Sequence, residues 1–336
     1  MKCYNLKAMR YYLLIGILFG FINANCQTIS IEKRHVVDDF HQYSLRDAII
    51  TKNGYTILGL KSDKDYYKSS YYITTLDTTF NVISQERLSD DRDTVCYYQS
   101  LINTGTSNHI VLGTLDTGDG YIMDNYIACF DKSFNKKWKL ILSKTYEGNI
   151  KGFIKNNCIY VVTNDDKSYK IHIISKEGIL LETKTIEVGF AEYLHDIILY
   201  DDYFILYGWH LEKESSYFDL IKLDYDCKVI NSHYQKITNT PKSINKLDDG
   251  NIALIFESVP STISFFDSNL NEIKKTTHIR HDCLYGKVAR ISEDKLLYID
   301  TNHDKLRAFV VHHTDVLSKI QICNCSNEKI SSCNYR

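Results

Sequence analysis

The chain has 336 residues, 44% of them hydrophobic and 24% charged, with a formal net charge of −2. That composition is too apolar for a disordered chain, and the near-neutral charge gives no electrostatic ground for binding nucleic acid or an anionic membrane surface. The length exceeds one ordinary core, so several domains, one large β domain or a repeat array is required, and 26 Tyr and 14 Phe against 3 Met favour strands.

Residues 1–26 have the pattern of an export signal. Lys2, Lys7 and Arg10 make a basic start, and Tyr11 to Ile22 form an apolar run of about 12 residues, too short to span a bilayer. Cleavage after Ala24 and cleavage after Cys26 both fit. A lipoprotein anchored through Cys26 is the minor alternative, disfavoured because Asn25 and Asn23 stand where small and aliphatic residues are expected. The expectation is an exported protein, periplasmic or extracellular, with no membrane span once the signal is removed.

Residues 27–336 read as one domain of six similar units, at 40–88, 89–142, 143–187, 188–237, 238–279 and 280–322, followed by a short cysteine-containing tail. Each unit runs strand, polar turn, strand, variable loop, alternating strand, turn and charged outer strand. In the first unit these pieces are DAIITKNGYTILG, YYITTLD and FNVISQERL; in the fourth they are DIILYDDYFILYGW, YFDLIKLD and KVINSHYQKI. The first turns carry hairpin chemistry at Asn53-Gly54, Asn156-Asn157, Asp201-Asp202 and Asp249-Gly250. The third strands close on Asp77, Asp131, Ser175, Asp224, Asp267 and His313, at intervals of about 43 to 54 residues, the period of four-stranded blades. A lone four-stranded sheet exposes both faces, and stacking six of them supplies the missing core. The predicted fold is therefore all-β, a six-bladed β-propeller. Thr28 to Val37 remains as a spare strand that could close the ring.

Gly54-Tyr55 with Gly59, Lys222-Leu223-Asp224, and Phe130-Asp131 through Trp138 also resemble the degenerate propeller repeats of many secreted bacterial proteins. The resemblance covers nearly the whole mature chain. It implies fold and export, not chemistry, because that family carries many functions.

In such a fold the loops entering each innermost strand surround one face of the central channel. Here they pair aromatics with ionisable groups: Phe40, His41, Tyr43 and Arg46; Asp93, Tyr97 and Tyr98; then Tyr146 and Glu147. Glu192, Tyr193, His195 and Asp196 follow in the fourth unit, and Arg280, His281, Asp282 and Tyr285 in the sixth. Amphipathic rings with a few convergent charges suit a carbohydrate, peptide or protein ligand. The alternative is that the tyrosines pack between blades and the charges are solvated.

A polysaccharide-active enzyme would need two carboxyls about 5 to 9 Å apart, drawn from Glu147, Glu192, Asp196 and Asp282. No nucleophile elbow, phosphate loop or zinc-protease motif is present in the sequence, and no cofactor or metal is expected. Ten cysteines do not define a pairing; Cys129 and Cys158, within apolar strands, are expected as buried thiols.

Overall fold

The computed structural model describes residues 42–312 and 321–324, apart from residues 52, 63–68, 79–80, 89–94, 107, 117–122, 146–148, 166, 190, 192, 213–214, 238–239, 248, 258–260, 280–284, 293–294 and 303–304. Side chains are described within the range up to residue 273. The signal region, the spare strand Thr28 to Val37, Cys26 and the last two cysteines lie outside the described residues.

Among the described residues the structure is all-β, with six four-stranded antiparallel sheets taken in chain order, the arrangement of a propeller-like fold. The first sheet is β1 (Gln42–Thr51), β2 (Gly54–Ser62), β3 (Ser69–Asp77) and β4 (Val82–Arg87). The second is β5 (Val95–Ile102), β6 (His109–Asp116), β7 (Met123–Phe130) and β8 (Lys136–Thr145). The third is β9 (Lys151–Lys155), β10 (Cys158–Asn164), β11 (Ser168–Ser175) and β12 (Leu180–Glu187). The fourth is β13 (Tyr193–Leu199), β14 (Tyr203–Glu212), β15 (Ser215–Asp224) and β16 (Val229–Ile237). The fifth is β17 (Thr240–Lys246), β18 (Ile252–Glu257), β19 (Ser261–Phe266) and β20 (Glu272–Ile279). The sixth is β21 (Tyr285–Ser292), β22 (Lys295–Asn302), β23 (Lys305–His312) and β24 (Gln321–Asn324).

The chain divides between Leu194 and His195 into two compact units. In the unit before this point, the second sheet is covered on both faces. One core packs Leu58, Ile73, Tyr98, Val111 and Tyr126 together, and another packs Ile102, Leu112, Ile127, Ile159 and Ile174. Burial on both faces explains why β6 and β10 read as nearly continuous apolar runs instead of alternating ones. In the second unit the matching core joins the fourth and fifth sheets through Ile205, Phe218, Leu220, Leu254 and Phe266. Each such side chain contributes roughly 1.5–3 kcal/mol of burial. Cys129 is a buried thiol as expected, and Cys158 is a half-buried one.

The turn closing each third strand repeats in detail. Asp77, Asp131 and Asp267 each accept from the backbone N–H and the side-chain amide of the asparagine four residues on, at 2.8 to 3.2 Å. Ser175 and Asp224 accept from the backbone N–H at the same position, at 3.3 and 2.8 Å. The residue three after the closing one takes a left-handed conformation at Phe134, Gly178, Cys227 and Leu270, with φ of 61°, 86°, 62° and 65°. Phe134, Cys227 and Leu270 turn that unfavourable geometry to use by packing an apolar side chain inward; Leu270 is 2% exposed.

Candidate functional site

The first strands of the sheets carry those predicted site residues that the structure describes, and in β1 and β5 a bulge interrupts the pairing beside them. Along β1 the pairing with β2 skips Arg46, between Leu45 and Asp47, and along β5 it skips Gln99. A bulge leaves one residue unpaired and re-aims it. Arg46 is accordingly exposed. Asp47, next along, accepts from the N–H of Ala48 and from the N–H of Leu101 on β5, both at 2.8 Å. It is a clamp between two sheets. Asp196 on β13 repeats the first of these contacts with the Ile197 N–H at 2.9 Å, which gives that carboxylate a backbone role.

The adjacent tyrosines of β5 part company. Tyr97 is 40% exposed, whereas Tyr98 is 1% exposed and sits edge-on to Tyr71 at 5.2 Å in the core of the first unit. His195 is half-buried, 5.2 Å from the ring of Tyr207, and Tyr193 is half-buried at the start of β13. Tyr43 and Tyr285 lie on β1 and β21, with side chains outside the described set. His41, Tyr146, Glu147, Glu192, Arg280, His281 and Asp282 lie outside the described residues, as do Phe40 and Asp93.

The fourth sheet holds a constellation that the sequence did not announce. Its strands are antiparallel, so the start of β13, the end of β14, the start of β15 and the end of β16 share one end of the sheet. There His210 of β14, Tyr217 of β15 and Tyr234 of β16 form a triangle of rings, with centroids 5.0 to 5.5 Å apart and planes within 18° of parallel. His210 Nε2 lies 3.1 Å from the Tyr234 hydroxyl, and His210 Nδ1 lies 3.4 Å from Asp219 Oδ1. His210 and Asp219 are buried, but Tyr234 is 51% exposed. Burial comes first in pushing the Tyr234 phenol above its ordinary value, followed by the charges and contacts of Glu212, Tyr217 and Asp219. The phenol therefore stays protonated and can donate. The arrangement is an open aromatic ring on a buried polar base.

Register explains the assembly. His210 pairs directly with Tyr217, and Asp219 pairs directly with Tyr234. The four side chains share a face because every second residue of a strand does. The opposite face of β14, carrying Ile205 and Tyr207, belongs to the core. Among the described residues no group of three or more His, Cys, Asp or Glu side chains has the placement to hold a metal ion.

No family model matches the sequence, and no curated protein is significantly similar to it. The fold does recur in solved structures. A candidate 6-phosphogluconolactonase from Bacteroides uniformis superposes with a TM-score of 0.53 at 10% identity, over 83% of each chain. A protein of unknown function from Bacteroides caccae gives 0.47 at 11% identity, over 73% of this chain and 86% of the other. Prolyl oligopeptidase B from Galerina marginata gives 0.47 at 10% identity, with 89% of this chain but 43% of the larger enzyme covered. The first likeness is one of fold alone, and the other two are too loose to argue from.

Proposed function

We propose that this chain is an exported six-bladed β-propeller that holds a ligand or partner without turning it over. Six four-stranded sheets in chain order and the regular spacing of their closing residues support the blade number. The charged segment Thr28 to Val37, similar to the outer strands, is the proposed closing strand. The signal-like residues 1–26 support export to the periplasm or beyond, with anchoring through Cys26 as the lesser alternative.

The observation that carries the binding role is the Tyr234 ring, half exposed above the buried His210 and Asp219. An exposed ring edged by a donor and a carboxylate suits the apolar face and hydroxyls of a sugar, or an aromatic-rich peptide segment. His195 lies at the same end of this sheet but packs on Tyr207, on the opposite face of β14, so the Tyr234 ring is proposed as a site of its own. The enzyme alternative rests chiefly on Glu147, Glu192 and Asp282, and Asp196 is engaged with backbone. Glycan and peptide arrays run beside polysaccharide turnover assays test the proposal. Binding without turnover supports it; release of product from any glycan tested would replace it with the enzyme reading.

A further inference from the structure

A second polar system links the second and third sheets, within the unit that ends at Leu194. Thr114 of β6 stands directly opposite Asn125 of β7. The two residues are 1% and 0% exposed. Asn125 Nδ2 donates to Ser143 Oγ on β8 at 3.0 Å, and Ser143 Oγ lies 3.3 Å from Thr163 Oγ1 on β10, in the next sheet. Thr163 Oγ1 in turn lies 3.2 Å from His172 Nε2 on β11, and His172 Nδ1 lies 3.0 Å from Thr183 Oγ1 on β12. A chain of amide, hydroxyl and imidazole groups thus links the second sheet to the third.

Burial, followed by the Lys170 charge, lowers the His172 imidazole to about 4, so the ring is neutral at ordinary pH and has one donor and one acceptor nitrogen. The His172 end of the chain is therefore matched on both ring nitrogens. The other end is not. Thr114 Oγ1 and Asn125 Oδ1 have no hydrogen-bond partner among the described residues, although both are sealed from solvent. Buried polar atoms left in that state are strongly disfavoured, and trapped water is the usual partner when two or more converge.

The geometry points to a fixed internal hydration site: we infer that one water bridges Thr114 Oγ1 and Asn125 Oδ1. The water accepts from the threonine hydroxyl, or donates to it, and donates to the amide oxygen, which completes the chain from β6 to β12.

A high-resolution crystal structure of the full chain tests this directly. The expected result is an ordered water at about 2.7–3.2 Å from both atoms. A dry site, or a direct Thr114–Asn125 hydrogen bond, would overturn the inference. Thr114→Val, nearly the same in shape, removes one anchor. The variant should lose that water while keeping the Asn125–Ser143 bond. Retention of an ordered water on Asn125 Oδ1 in Thr114→Val would also overturn it.

Discussion

Trp138 lies against Gly178, and its indole Nε1 donates to the carbonyl of Lys176 at 3.1 Å. The outer strand of the second sheet thereby docks on the closing turn of the third. The same position in the fourth sheet is Asn231, whose amide donates to the carbonyl of Asn269 at 2.5 Å. Both residues stand seven places after the aspartate that closes their own third strand, Asp131 and Asp224. The docking contact is therefore made by an asparagine in one repeat and by a tryptophan in another.

This contact makes Gly178 doubly sensitive. A Cβ there would stand 2.4 Å from the Trp138 ring, on a residue with φ of +86°. Gly189, with φ of +85°, has nothing within 4 Å among the described residues. Gly189→Ala should cost about 1–2 kcal/mol from backbone conformation alone, and Gly178→Ala about 1–3 kcal/mol more, from displacing the indole. Urea unfolding of both variants checks the difference. Equal losses would mean that the indole moves aside freely.

The closing turns should also leave an acid signature. The backbone N–H of Asn135, and then its side-chain amide, hold the Asp131 carboxyl below its ordinary value. A depressed carboxylate stabilises the fold above the unfolded value and loses that contribution as pH falls through the folded one. Asp131→Ala should lower the urea midpoint at pH 7 and narrow its gap to the parent at pH 3. A gap unchanged between the two pH values would show that the carboxylate charge is not engaged.

His172 contributes over a different window. Its folded value of about 4 lies below the ordinary 6.5, so the unfolded chain takes up the proton first. Stability due to the neutral ring is fully present above pH 6.5 and declines as pH falls towards 4. His172→Gln, which keeps hydrogen-bonding capacity without titrating, should flatten the stability curve between those limits. Thermal melts across that range provide the measurement, and an unaltered slope would place the dependence on other groups.

Much of the architecture was legible because it repeats. The closing residues Asp77, Asp131, Ser175, Asp224 and Asp267 all end third strands or directly follow them. Asn156-Asn157 makes the expected hairpin, with φ of 51° and 65°. Phe134, Cys227 and Leu270 were not legible as left-handed residues. Such positions are normally marked by glycine, as at Gly178, and here the cost of about 1–2 kcal/mol is offset by an inward apolar side chain. Tyr97 and Tyr98 look alike in sequence, yet one lies exposed and the other in the core. His210, Asp219 and Tyr234 carry no motif at all. Only the strand register brings them together, through a regular β14–β15 pairing and a β15–β16 pairing with one bulge at Lys222/Leu223.

The binding role is tested most directly at Tyr234. The purified chain and its Tyr234→Ala variant are titrated with the glycan or peptide selected on arrays, and turnover is followed in the same samples. The account predicts saturable binding by the parent, no turnover, and a loss of at least about tenfold in affinity for Tyr234→Ala, equivalent to about 1.4 kcal/mol. Equal affinity in parent and variant, with both folded by circular dichroism, would contradict it.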